Sequence, residues 1–258
     1  MNLPIWVAVA GPQAVPPPGS GDLVLVHGSL DRSAGMLKLS RRFDADWRVT
    51  RYDRRGYGRS TECGGPFTLD AQIADLVEVI EAHADAPVVA FGHSFGGNVV
   101  LGVADRRPDL VRAVIVYESP LSWLDWWPHD SAGRAAAERA DDPHHAAEAF
   151  MRRLIGDRRW DRLPERSRDA RRAEGPALVG ELADLRRGAP WQPDRIRVPV
   201  LAMLGERAQP HHRAAMEWVA DAVPDGRSYE VPEARHFGPN THPDAVAEQI
   251  RHFLGGTA

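Results

Sequence analysis

Apolar residues along the 258-residue chain fall into two kinds of pattern. Short runs rich in β-branched and aliphatic residues occur at 22–26, 47–52, 87–91, 111–117 and 198–204, with another at 228–231. All predict strands, and the mostly apolar runs at 22–26 and 111–117 predict strands buried on both faces. Residues 3–10 predict an opening strand, and Pro16-Pro17-Pro18-Gly19 a turn or short connector. Between the strands the spacing becomes helical. Residues 33–43 predict one helix. Thr68-Leu69-Asp70 begins another, with Leu69, Ile73, Leu76, Val77 and Ile80 on one face. A third runs from Ser94 to about Arg107 and stops at Pro108. Two more are predicted near 211–222 and 243–254. Strands alternating with helices predict an α/β fold, a mostly parallel sheet with helices on both faces. The alternation lapses over 121–190, where arginine-rich helical segments appear and no buried-strand run does. That stretch reads as a helical cap inserted into a core made of residues 1–120 and 191–258.

One strand-to-helix junction carries chemistry. Val88-Val89-Ala90-Phe91 leads into Gly92-His93-Ser94-Phe95-Gly96, and a helical segment follows. A serine at such a turn projects its hydroxyl above the sheet, and the next helix aims its positive N-terminal end at the same spot. Crowding at the turn demands small residues two before and two after the serine, and Gly92 and Gly96 meet that demand. The five residues read as a nucleophile elbow, with Ser94 the nucleophile of a serine hydrolase. A helix N-cap would explain the serine alone, but not its flanking glycines. A serine hydroxyl needs a base within reach. His236 lies in Glu233-Ala234-Arg235-His236-Phe237-Gly238, a loop after the last predicted strand that should reach the sheet edge where Ser94 lies. Imidazole titrates near neutrality, so it can take a proton and return it.

Four elements occur in order, each after a predicted strand: His27-Gly28-Ser29, Asp53-Arg54-Arg55-Gly56-Tyr57-Gly58-Arg59-Ser60, the elbow at Ser94, and His236. Together they resemble the α/β-hydrolase family over nearly the whole chain except the cap. The resemblance implies a carboxylate that orients His236. Many relatives carry G-x-x-D after the strand that ends here near 204. This chain has Gly205-Glu206-Arg207-Ala208, with Ala208 where that carboxylate stands. Some relatives, haloalkane dehalogenases among them, carry the acid after the earlier strand, where this chain has Glu118. Glu118 and Glu206 are both candidates. Glu118 is preferred because a charge directly after a fully apolar strand implies a partner. The oxyanion hole is expected from the backbone N–H groups of Phe95 and Ser29. His27 and His93 are expected to pack beside the site, and the Asp53 to Ser60 loop to act as scaffold. Trp123, Trp126 and Trp127 follow Glu118 closely; they suit a substrate pocket, or equally the packing of cap on core. The implied chemistry is cleavage of carboxylic esters, lactones or thioesters through an acyl-enzyme. Carbon–carbon bond hydrolysis and cofactor-free perhydrolysis use the same triad, and a non-catalytic binding protein is the remaining alternative. Serine at the elbow, rather than aspartate, argues against dehalogenase and epoxide hydrolase chemistry.

Composition narrows the partners. The net charge of −4 provides no global basic field for nucleic acid. The arginines over 151–172 are interleaved with Asp157, Asp161, Glu165 and Asp169, the pattern of a solvated face laced with ion pairs. Cys63 is the one cysteine, so no internal disulfide forms, which suits a reducing compartment. The apolar residues 5–10 lack a basic flank and are few for a leader, so a cytoplasmic location is expected. No apolar stretch approaches the ~20 residues of a membrane span. His144-His145 and His211-His212 are adjacent pairs without the i, i+4 spacing of two ligands on one helix face. Neither a metal nor a cofactor is expected, and the partner is a small molecule, apolar or aromatic. The oligomeric state is left open.

Overall fold

The structure, a computed structural model, describes residues 5–12, 20–85 and 87–255. The start of the expected first strand and the Pro16 to Gly19 turn lie outside the described residues. Seven strands form one sheet: β1 (Val7–Ala10), β2 (Asp22–Val26), β3 (Arg48–Tyr52), β4 (Val88–His93), β5 (Val111–Tyr117), β6 (Val200–Gly205) and β7 (Gly226–Val231). Their spatial order is β1-β3-β2-β4-β5-β6-β7. β1 runs antiparallel to β3, and every other neighbour pair is parallel.

The absence of polar alternation in the central strands has a direct cause. Successive side chains point to opposite faces, and both faces are covered. Val24, Val26, Val88, Ala90, Val114, Val116, Val200 and Ala202 enter one core, under α2 (Leu69–His83), α3 (Phe95–Arg106) and α9 (Pro210–Ala222). Their neighbours Leu23, Leu25, Val89, Phe91, Ala113, Ile115, Leu201 and Met203 enter the other, beneath α1 (Leu37–Ser40) and α11 (Pro243–Gly255). β7 stands at the sheet edge and keeps mostly exposed or half-buried side chains.

Helix starts follow local chemistry. Thr68 caps α2, its side chain accepting from Ala71 N at 3.3 Å. Leu69, Ile73, Leu76, Val79 and Ile80 form the buried face of α2, and Val77 is only partly buried. The helix expected over 33–43 is shorter. A 3₁₀ turn at Ser33–Met36 leads into one turn of α1, and i to i+3 bonds such as Phe43 N to Ser40 O close the remainder as turns.

Between β5 and β6 lie five helices: α4 (Ala132–Ala137), α5 (Pro143–Ile155), α6 (Asp157–Asp161), α7 (Glu165–Ala173) and α8 (Gly175–Asp184). α7 buries no residue, whereas α8 buries Ala177, Leu178, Val179, Glu181 and Leu182. The arginine-rich surface forms an ion-pair lace: Arg152 meets Glu148 at 2.8 Å and Asp161 at 2.9 Å, and Arg172 meets Glu148 and Asp169 at 2.7 Å each. A short α10 (Gly238–Thr241) follows the His236 loop. Among the described residues no helix is long and apolar enough to cross a membrane.

Candidate active site

Ser94 stands at the end of β4 with φ 52° and ψ −124°. A non-glycine residue with positive φ is strained by its own Cβ. Here the conformation is pinned: Ser94 N donates to Tyr117 O at 2.8 Å, and Gly97 N donates to Ser94 O at 2.9 Å. The flanking glycines permit the turn. A Cβ on Gly92 would lie 2.4 Å from Gly96 O, and one on Gly96 would lie 2.5 Å from Val26 O. The twelve-residue α3 starts at Phe95, so its positive end faces the serine.

Glu118 follows β5 directly and is fully buried. Its backbone also takes a positive φ, 46°, and is fixed by a 3.0 Å bond from Glu118 N to Met203 O. Both carboxylate oxygens are occupied. Oε2 accepts from His236 Nδ1 at 2.8 Å, and Oε1 accepts from Gly205 N at 3.0 Å. A proton on Nδ1 leaves Nε2 as the basic nitrogen of His236. Glu206 lies elsewhere. It is exposed, and its Oε2 accepts from Glu233 N at 2.7 Å. Gly205, the last residue of β6, thus supplies an N–H to the carboxylate that follows β5.

His236 sits in a stack of imidazoles. His93 and His212 each lie 4.9 Å from it between ring centroids, and His211 lies 4.5 Å beyond His212. His93 Nε2 donates to His236 O at 2.8 Å, which fixes the loop from below. Burial, reinforced by the neighbouring His236, pushes His93 down to about 3. Burial likewise lowers His212, well below the usual range, and His211. These three rings are neutral neighbours of the one that faces Glu118.

Gly28 brings the loop after β2 against the elbow; a Cβ there would lie 3.0 Å from Ser94 Cβ. Ser29, next in that loop, donates its hydroxyl to Glu181 Oε1 at 2.5 Å. Glu181 belongs to α8 and is wholly buried, yet it is saturated. Arg54 Nη1 meets Oε2 at 2.7 Å, Tyr57 Oη donates to Oε1 at 2.7 Å, and Gln72 Nε2 donates to Oε2 at 3.1 Å. Burial and the Glu181 charge lift the Tyr57 phenol well above its usual value, so it remains a donor. Arg54 also packs over the Phe95 ring at 4.8 Å and donates from Nε to His27 O at 2.9 Å. His27 accepts from Arg54 N at 2.9 Å and turns Nδ1 to Gly28 O at 2.8 Å. Burial, then Arg54, lowers it well below the usual range. Asp53 accepts from Ser33 N at 2.7 Å and Arg59 N at 3.0 Å, a scaffold role.

A cavity of about 570 Å³ opens above the elbow and is lined by Ser29, Ser94, Glu118 and His236. The sequence profile of the alpha/beta hydrolase family matches residues 23–249. The chain belongs to that family. It is similar to the pimeloyl-[acyl-carrier protein] methyl ester esterase of Neisseria meningitidis serogroup B (strain ATCC BAA-335 / MC58), 28% identical over 242 residues, covering 90% of this chain and 92% of the relative. It is also similar to the lipase LipV of Mycobacterium tuberculosis, 31% identical over 102 residues, which is 40% of this chain and 38% of that protein. Among solved structures, MenH from S. aureus superposes with a TM-score of 0.79 at 18% identity, covering 97% of this chain and 98% of that one. The enol-lactonase from Burkholderia xenovorans LB400 does so at 0.77 and 20% identity, covering 97% and 96%. These likenesses show the fold. The protein is an enzyme of the hydrolase class.

Within this hydrolase the three tryptophans have separate places. Trp127 lines the cavity and packs edge-on against His211 at 4.8 Å and His212 at 5.5 Å. Trp123 is not part of the lining; it packs edge-on against Trp191 at 5.7 Å, on the core. Trp126 is 44% exposed and not part of the lining either. Adjacent residues Trp126 and Trp127 thus part, one to solvent and one to the cavity. Sequence reasoning missed His211, His212, Glu181 and Arg186. The histidines open α9, directly after β6, and position after a parallel strand's C-terminal end was the available signal. Glu118, His212 and His236 place donor atoms within 4.8 Å of one another, a spacing a metal ion could span. Two of those donors already bond each other.

Proposed function

We propose that this hydrolase cleaves carboxylic esters through an acyl-enzyme on Ser94. Ser94 Oγ attacks the ester carbonyl while His236 Nε2 takes its proton. The N–H groups of Phe95 and Ser29 hold the oxyanion, with the positive end of α3 behind them. The ester C–O bond breaks, and His236 passes the proton to the leaving alkoxide. Water then attacks the acyl-enzyme by the same route, releasing the acid and restoring the serine hydroxyl. Glu118 holds the Nδ1–H tautomer and offsets the imidazolium charge. The observation that carries this reading is the 2.8 Å bond between Glu118 Oε2 and His236 Nδ1, beside the cavity that Ser94 lines.

In this reading residues 121–190 act as a cap over a core of 1–120 and 191–258. Trp127, Phe150, Leu154 and Leu182 provide apolar wall for a small substrate. Methyl esters are the first probes, because the Neisseria relative is a methyl ester esterase. Lactones and thioesters follow the same course. With Cys63 its one cysteine, the enzyme suits the cytoplasm.

A fluorophosphonate probe should label Ser94, as read by peptide mass spectrometry. Ser94→Ala should fold normally by circular dichroism, take no label and lose turnover by ~10⁴-fold or more. Near-normal esterase activity in that variant would sink the assignment.

A further inference from the structure

The cap side of the cavity is largely apolar, with Ala132, Phe150, Leu154 and Leu182. Two arginines stand on this side, Arg153 with an exposed side chain and Arg186 more enclosed. Arg186 follows the end of α8 and is half-buried in this wall. Its Nη1 donates to Leu182 O at 2.6 Å. Its Nη2 lies against the bare backbone of Gly133, where a Cβ would come within 3.0 Å. Among the described residues neither Nη2 nor Nε has a hydrogen-bond acceptor, and no carboxylate pairs with the guanidinium. Glu138 is near enough for its charge to be felt, but it is engaged by Arg134 at 2.7 Å. Burial, then the charge of Arg134, pushes Arg186 down to about 10.

Arg51 is buried and Arg112 half-buried without an ion pair among the described residues, but neither lines this cavity. Three other sequestered arginines are matched. Arg54 has Glu181 at 2.7 Å, Arg55 has Asp75 at 2.5 Å, and Arg48 has Asp22. A desolvated cation without an anion is costly, and that cost is relieved when a ligand brings one. The rest of the lining reinforces the sign. Arg153 and Arg235 contribute exposed guanidinium groups without an ion pair among the described residues, and Arg207 is paired with Glu233. The acids in the lining are Asp130, at the exposed rim, and Glu118, which His236 engages.

We propose that Arg186 anchors an anion subsite in this cavity, and that the preferred substrates are monoesters of dicarboxylic acids. The free carboxylate lies across the open Nε and Nη2 donors, a planar fork that matches its two oxygens. The methylene chain runs along Phe150, Leu154 and Leu182, and the ester carbonyl reaches Ser94. This rests on the ester hydrolase reading above. It adds a selectivity that a purely apolar pocket lacks. A monoanion fits a single fork, whereas a phosphate dianion would need more donors than Arg186 has free.

The test compares kcat/KM for monomethyl adipate with that for its neutral isostere, the methyl ester of adipic acid monoamide. Both are followed by methanol release from the full chain. p-Nitrophenyl acetate, which carries no carboxylate, serves as the third substrate. The carboxylate should be preferred by ~10- to 100-fold, the range of one charge-assisted pair. Arg186→Gln should bring that ratio to near one, chiefly through KM, and Arg186→Lys should restore part of it. In the unmodified enzyme, adipate should inhibit p-nitrophenyl acetate hydrolysis competitively and adipamide should not, a result independent of whether any variant folds. A wild-type ratio near one, with p-nitrophenyl acetate still cleaved in a Ser94-dependent way, overturns the subsite and leaves the hydrolase reading standing. So does a ratio unchanged in Arg186→Gln. If none of the three esters is cleaved, the hydrolase reading falls, and the subsite with it.

Discussion

At the residue scale, two strained backbone positions follow neighbouring parallel strands. Ser94 and Glu118 both adopt positive φ, 52° and 46°. Such conformations cost ~1–3 kcal/mol each and persist where surrounding bonds over-determine them. Those bonds join the ends of β4, β5 and β6, so Ser94 and Glu118 are both set by neighbouring strand ends. Glu118 uses its two oxygens differently. One accepts from Gly205 N, and the other accepts a hydrogen bond from His236 Nδ1–H. Glu118→Gln keeps the shape but offers no charge to the imidazolium and allows the amide to present the wrong group. Turnover should fall by ~10³–10⁴-fold. Glu206→Gln, which only alters an exposed loop contact, should leave turnover close to wild type. Steady-state kinetics on p-nitrophenyl acetate decide between them, and the opposite ranking would move the acid to Glu206. The preference for Glu118 was legible because a charge directly after the apolar run of β5 needs a partner. Its contact with Gly205 was not, since nothing local links positions 118 and 205.

At the element scale, α8 ties the helices between β5 and β6 to the loops beside the sheet. Its apolar residues Ala177, Leu178 and Leu182 face inward, and Glu181 lies among them at full burial. Through Ser29, Arg54, Tyr57 and Gln72 this carboxylate touches the loops after β2 and β3 and the helix α2. The same contacts hold the Ser29 loop against the elbow. Glu181→Gln preserves volume but strands the Arg54 charge in a dry core, and breaking a buried pair on one side costs ~3–5 kcal/mol. Urea unfolding should register that loss. The double variant Glu181→Leu with Arg54→Met should be less destabilised than Glu181→Gln alone; a single-variant loss below ~1 kcal/mol would show the pair to be dispensable. Strands and the inserted helices were legible because both-face burial and solvated arginine faces write themselves into local pattern. Glu181 was not, because inside a helical period it looks like any polar gap. Its partners stand 109 to 152 positions away, and only the fold assembles them. His211 and His212 were discounted for a related reason: adjacency excludes chelation on one helix face, but not stacking against a third ring from another loop.

For the whole molecule, the parallel sheet that brings these loops together also buries histidines, and that sets its response to acid. His27 and His93 are buried and half-buried His212 is stacked in the cavity wall, with pKa values lowered chiefly by burial, His93 to about 3. In the unfolded chain each returns to about 6.5. Between those limits the unfolded state binds protons that the folded state refuses. Stability contributed by these rings is therefore complete above pH ~6.5 and declines as pH falls below it, by ~1.4 kcal/mol per pH unit for each ring. The ion pairs of the helices between β5 and β6 act in a lower range, because the lowered carboxyl of Glu148 loses its charge only below its ordinary value. Loss of stability between pH 6.5 and 5 should thus belong to the histidines. Urea midpoints should be level from pH 8 to 7 and fall steadily from 6.5 to 5. His212→Phe keeps a ring beside His236 and Trp127 but removes one titration, so it should lessen that slope by about 1.4 kcal/mol per pH unit. A midpoint that stays level down to pH 5 would mean that these rings take up protons in the folded state, by opening of the loops that cover them. The elbow, the His236 loop and the start of α9 would then be mobile on the timescale of the measurement.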